Sequence, residues 1–170
     1  MEDSANKVLQ AFEEAQKTLE KGDLEQAKIL FESLDYENLE EIEPDDALAA
    51  RVLALQLCIL QERFSDALYH ADAALDLAEH EPLVHHLAGQ AMWAQSHYRT
   101  AAEMLVYAAE LLEGIHEDIP PFSFEVDRSQ VFYMAAEACR NFDQESAAER
   151  FYQLALEHTH EMSSAAPNIT

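Results

Sequence analysis

Eight histidines, 34 carboxylates and two cysteines are the side chains here with chemistry to offer. The histidines cluster as His80 with His85-His86 and as His158-Thr159-His160-Glu161. On a helix, two ligands share a face only when three or four residues apart, and neighbours or i+2 partners diverge. His86 with Gln90 and His158 with Met162 supply no second ligand. These histidines are therefore read as solvated, or as helix-C-terminal groups favoured by the negative end of the dipole, and no metal is expected. Cys58 and Cys139 stand too far apart to form a disulfide framework and fall on apolar helix faces, so they read as buried thiols. Glycine occurs only at 22, 89 and 114, which cannot build a phosphate-cradling loop. There is no Gly-x-Ser-x-Gly elbow and no CxxC pair. No two carboxylates lie in apolar surroundings that would raise one pKa for proton transfer. The expectation is a protein with no catalytic residue and no cofactor, and not an enzyme.

The elements that hold these side chains must be helices. Three glycines and five prolines in 170 residues favour long helices joined by short turns. From Ala47 to Leu112 apolar residues recur at three- and four-residue spacing, not in period-two alternation. No apolar run reaches the roughly 18 residues needed to span a bilayer. Met1-Glu2-Asp3-Ser4 lacks the basic and apolar stretches of a secretory signal, so a cytoplasmic location is expected. The formal net charge is −24, with eight carboxylates and no Lys or Arg between Glu32 and Asp46. Such a surface repels a phosphate backbone and an anionic membrane, which excludes nucleic acid and membrane insertion. It serves as a solvated outer face, or attracts a basic partner.

A repeat organises the helices. Gln61, Phe64, Ala67 and Ala74 return 34 residues later as Gln95, Tyr98, Ala101 and Ala108. Lys21-Gly22-Asp23-Leu24 with Ala27 and Phe31 precedes this block, and Ala148 with Phe151-Tyr152-Gln153-Leu154-Ala155-Leu156-Glu157 follows it. The pattern resembles the tetratricopeptide family, whose helix–turn–helix units bury their apolar faces by stacking. The resemblance implies an all-α, tetratricopeptide-like superhelical stack in a single domain spanning 1–170. Its four units cover about 8–41, 48–81, 82–115 and 129–162, with an insert at 116–128 and a disordered tail at 163–170. Pro44 is expected to end any earlier helix, with Asp45 or Asp46 capping the next. Small residues survive in the first helices as Ala15, Ala54, Ala88-Gly89 and Ala135-Ala136. The family's early aromatic is replaced by Ala11, Arg51 and His85, and only Phe132 keeps it. Ala71 stands where the family places an aromatic, so enlargement is expected to be tolerated there better than at Ala67 or Ala101.

The resemblance also places a concave wall on the first helices. Unit one contributes Leu9, Phe12, Gln16 and Leu19; unit two, Ala49, Val52, Gln56 and Ile59. Unit three contributes Leu83, His86, Gln90 and Trp93; unit four, Gln130, Tyr133, Glu137 and Arg140. Relatives that grip a C-terminal carboxylate use lysine, arginine and asparagine on this wall. Here Phe12, Val52, Gln56, His86 and Gln90 stand instead. The wall suits an apolar or amphipathic segment of another protein, or packs against the chain's own insert or N-terminal helix. Size, acidity and wall also resemble the class II chaperones of bacterial type III secretion, which hold apolar segments of translocators. The competing reading is a structural assembly subunit that uses its convex face and N-terminal helix in a permanent homo- or hetero-oligomer, a homodimer included.

Overall fold

The computed structural model describes residues 10, 11, 13–15, 17, 18, 21–33, 43–116 and 119–164. The described part of 10–18 is helical. Seven further helices follow: α1 (Leu24–Glu32), α2 (Pro44–Leu60), α3 (Phe64–Leu77), α4 (Pro82–Ala94), α5 (Tyr98–Glu113), α6 (Arg128–Asn141) and α7 (Glu145–Ser164). No strand occurs among the described residues. The chain forms two compact units, 1–79 and 80–170. In the first, Ala15 and Ala27 share a core with Ala47, Ala50, Leu53, Ala54 and Leu57 of α2, and α3 packs on α2. In the second, α4 packs on α5, α5 on α6, and α6 on α7.

Helix starts follow local chemistry. Proline stands in the first turn of α2 and α4, where its missing N–H costs nothing. Asp23 Oδ1 accepts the Gln26 N–H before α1 at 3.1 Å. The start of α2 departs from expectation. Its N-cap is Glu43, and Asp45 and Asp46 lie inside the first turn, where their charge favours the positive end of the dipole. At the other end of the chain, α7 continues to Ser164, past the expected onset of the tail.

Each pair turns in one way. Gly22, Glu62, Ser96 and Asp143 all have left-handed backbone, with φ of 81°, 57°, 65° and 56°. The following N–H reaches back five residues, as in Arg63 to Cys58 (2.8 Å), His97 to Met92 (2.9 Å) and Gln144 to Cys139 (3.0 Å). This is the helix-ending bond that closes orphan carbonyls over a left-handed residue. Only the first of the four turns uses glycine, so three side chains sit in strained backbone. Gly114 ends α5 similarly at φ 72°.

Inside each pair, one wedge joins first to second helix at a separation of 19 residues. Arg51 Nη1 lies 3.4 Å from His70 Nδ1, and its guanidinium sits over the Tyr69 ring at 5.5 Å. His85 Nδ1 lies 3.2 Å from Met104 Sδ, and its ring meets Tyr107 edge-on at 4.8 Å. Phe132 stacks on Phe151 at 6.3 Å. Three chemistries thus fill one position. The solvated reading of the histidines fails at His85 and His86, which are buried; His70, like His85 a wedge member, is buried as well.

Beside the wedge lies a seam of small residues. Ala54, Ala67, Ala88, Ala101, Ala135, Ala136 and Ala148 are all buried. A Cβ added at Gly89 would lie 2.7 Å from Leu105 Cγ and 3.2 Å from the Ala101 carbonyl oxygen. Ala71 is buried as well, so the expectation of tolerance there is overturned. Ala67→Leu, Ala71→Leu and Ala101→Leu should each cost about 1–3 kcal/mol by overpacking, read from denaturant midpoints. Gly89→Ala should also destabilise, since Leu105 is itself buried and cannot swing aside, despite about 1 kcal/mol of helix propensity gained. At the turn, Glu62→Gly should raise stability by about 1 kcal/mol through relief of the left-handed strain. Glu62→Ala, which keeps a Cβ, should give no such gain.

Candidate functional site

Leu9, Phe12, Gln16 and Leu19 lie outside the described residues. In the first unit, Val52 is buried, while Gln56 and Ile59 are half-buried. In the second unit the wall residues fall into three places. Leu83, His86 and Gln90 occupy one face of α4; Trp93 sits at its C-terminal end; Gln130, Tyr133, Glu137 and Arg140 lie on α6.

The α4 face is largely internal. His86 is 3% exposed, and Gln90 Nε2 donates to its Nε2 at 2.8 Å. Burial holds the His86 imidazole down at about 4, against a smaller upward pull from Asp127. Close by in sequence, the buried Glu81 carboxylate accepts the Ser123 N–H at 2.8 Å. Burial raises its pKa, opposed by the backbone N–H bonds of Ser123, Leu83 and Phe124. Phe122 and Val126 of the same insert pack against the core cluster of α5, α6 and α7. The insert is thus part of the fold of its unit. It ends in Asp127, which caps α6 by accepting the Gln130 N–H at 3.2 Å. Its carboxyl is held below the usual range by the Ser129 hydroxyl and that Gln130 N–H. The Asp127-Arg128-Ser129-Gln130 pattern carried this cap in the sequence.

Trp93 is half-buried. Its ring meets Tyr98 edge-on at 5.2 Å. Trp93, His97, Tyr98, Arg99 and Phe142 line a cleft of about 780 Å³. It shares Arg99 and Phe142 with a second cleft of about 400 Å³ lined also by Val106 and Cys139. The first is formed by the end of α4, the turn into α5 and the end of α6; the second by the first half of α5, the end of α6 and the turn after it. Tyr98 and Phe142 were not among the expected wall residues; both are exposed apolar rings.

On α6, Glu137 is engaged within the unit: it accepts the Tyr152 hydroxyl and Arg140 Nη2, the latter at 2.6 Å. Tyr133 is 51% exposed. It lies 6.0 Å from the Tyr152 ring and lines a third cleft, of about 510 Å³, with Gln130, Tyr152, Ala155, Leu156 and Thr159. Both thiols, Cys58 and Cys139, are buried, and burial raises the pKa of each. Among the described residues no group of three or more His, Cys, Asp or Glu could hold a metal ion, and no helix is long and apolar enough to cross a membrane.

No family model and no curated protein matches the sequence. Among solved structures, the MamA RS-1 ArsTM double mutant superposes with a TM-score of 0.66 at 13% identity, over 92% of this chain and 76% of that one. A MamA crystal structure gives 0.45 at 13% identity, over 88% and 96%. BtubC (BKLC) from P. vanneervenii gives 0.37 at 15%, over 99% and 94%. The first of these likenesses, with the helical architecture, establishes an all-α, tetratricopeptide-like repeat fold.

Buried neutral histidines give this site a pH dependence. The His86 pKa is depressed on folding, so between about 6.5 and 4 the unfolded chain binds the proton and the native one does not. Stability contributed by neutral His86 is therefore present above pH 6.5 and is lost as pH falls through that window. The His86→Gln variant should lose less stability than the parent between pH 7 and pH 4, by up to about 3 kcal/mol. Denaturant melts at a series of pH values compare the two, and the other titrating groups cancel in the difference.

Proposed function

We propose that this is a protein-binding adaptor or chaperone of helical-repeat type, and not an enzyme, which holds an apolar or amphipathic segment of a partner protein. The observation that carries the reading is the Trp93–Tyr98–Phe142 cleft. Three aromatic rings line open surface on a chain of net charge −24. Rigid aromatic anchors supply much of the energy in protein interfaces, and the helices that present them are fixed by the alanine seam. Arg99 and His97 beside the rings offer hydrogen bonds to backbone or carboxylate groups of a bound segment. Leu83 and Gln90, half-buried on α4 of the same unit, extend the apolar and amide character of the wall. His86 supports it from within.

A narrower form of the proposal is a type III secretion chaperone of class II, held in the cytoplasm. Small size, acidity and an aromatic–aliphatic surface without a charged clamp support it. A client that is basic overall would gain encounter rate from the acidic surface, and only modest affinity.

Trp93 is the chain's single tryptophan, so the test has a built-in reporter. Titration with an amphipathic apolar peptide should shift Trp93 fluorescence to the blue. Tyr98→Ala and Phe142→Ala should each weaken binding about 30-fold, the equivalent of about 2 kcal/mol, with helicity and melting temperature nearly unchanged. Unaltered affinity in both variants, or no binding of any apolar segment, would remove the cleft as the site.

A further inference from the structure

The repeat register identifies a face that is covered in one helix pair and partly open in the next. Ser96, Ala101 and Met104 correspond to Asp143, Ala148 and Phe151 by turn, seam and wedge, an offset of 47 residues. The same offset carries Leu105, Ala108, Ala109 and Leu112 of α5 onto Tyr152, Ala155, Leu156 and Thr159 of α7. On α5 these residues are buried, three of them in the cluster that contains Val131, Phe132, Ala135 and Ala136 of α6. On α7 no described helix takes the place of α6. Leu156 is left 58% exposed beside the cleft floored by Ala155, which is 7% exposed.

We propose that this α6–α7 face pairs with the same face of a second copy of the chain, forming a twofold dimer. An isologous contact needs a surface complementary to itself, with a projection and a recess that exchange across the axis. This face carries both: Leu156 projects, and the cleft between Tyr133 and Tyr152 is the recess. Charge selects the same place. Two copies of net charge −24 repel, and every carboxylate buried between them must be desolvated. No acidic or basic residue lines this cleft, whose polar groups are hydroxyls and the Gln130 amide. The inference goes beyond client binding and uses a different surface from the Trp93 cleft.

Sedimentation velocity of the full chain, from micromolar to submillimolar concentration, is the test. The expected result is a monomer–dimer equilibrium that tightens as salt is raised, because screening removes the repulsion while the contact is uncharged. Leu156→Glu should be monomeric throughout with unchanged circular dichroism, and mixing it with Leu156→Lys should restore a dimer. Gln130→Lys, on exposed surface, is a second variant expected to weaken the dimer at least tenfold. Tyr98→Ala, which removes client binding under the proposal above, should dimerise normally. A chain that stays monomeric in high salt overturns the inference, whatever other protein it captures on this face. A dimer that survives both Leu156→Glu and Gln130→Lys overturns it equally.

Discussion

Two helices can share a turn of only a few residues and still bury a common face when their backbones touch, and here alanine and glycine let them touch. The seam Ala54–Ala67, Ala88-Gly89–Ala101 and Ala135-Ala136–Ala148 holds that contact in three successive pairs. Its tightest point is Gly89, where even one methyl group would enter the space of Leu105. The rest of the architecture follows from this approach. A left-handed residue must close each turn, because no longer connection fits between helices so near. A wedge must fill the space that opens where the two helices splay.

The wedge shows how little of its chemistry the fold requires. Arg51 with His70, His85 with Met104 and Phe132 with Phe151 occupy one position with a cation, an imidazole and a ring. What they share is a flat, polarisable group able to lie against a neighbour, with Arg51 stacked on Tyr69 in place of a second ring. Volume and flatness matter at this position more than polarity. The consequence for the histidines is direct: filling the wedge drives His70 and His85 inward, and the His70 pKa drops to about 4, chiefly by desolvation.

Two of the open clefts have no carboxylate in their lining. The Trp93–Tyr98–Phe142 cleft is lined by Arg99 and His97 and by no carboxylate, with Arg99 paired to Glu103 of the adjoining cleft, and no charged residue lines the Tyr133–Tyr152–Leu156 cleft. A chain with this excess of carboxylate keeps itself dispersed by repulsion. The places where repulsion is locally relaxed are therefore those where contact with another chain costs least desolvation.

The sequence by itself determined the class of fold and its period. The 34-residue return of Gln61, Phe64, Ala67 and Ala74 needs no coordinates, because each of those positions faces the same neighbour in every pair. Pro82 and Gly114 stand at a helix start and a helix end for reasons local to the backbone, a fixed φ and a left-handed cap. Tertiary structure decided what is inside. Histidine and alanine have no fixed place by composition: His86 pairs with Gln90 and is buried, while Ala71 is closed off although the repeat usually holds a ring there. The insert could be placed only by its partners, since the Glu81–Ser123 bond joins groups 42 residues apart. Trp93 and Tyr133 share one stripe in the repeat pattern yet line separate clefts, because each cleft is completed by residues from another helix. Periodicity reports which side of a helix is apolar; only the packing of the next helix tells whether that side is covered.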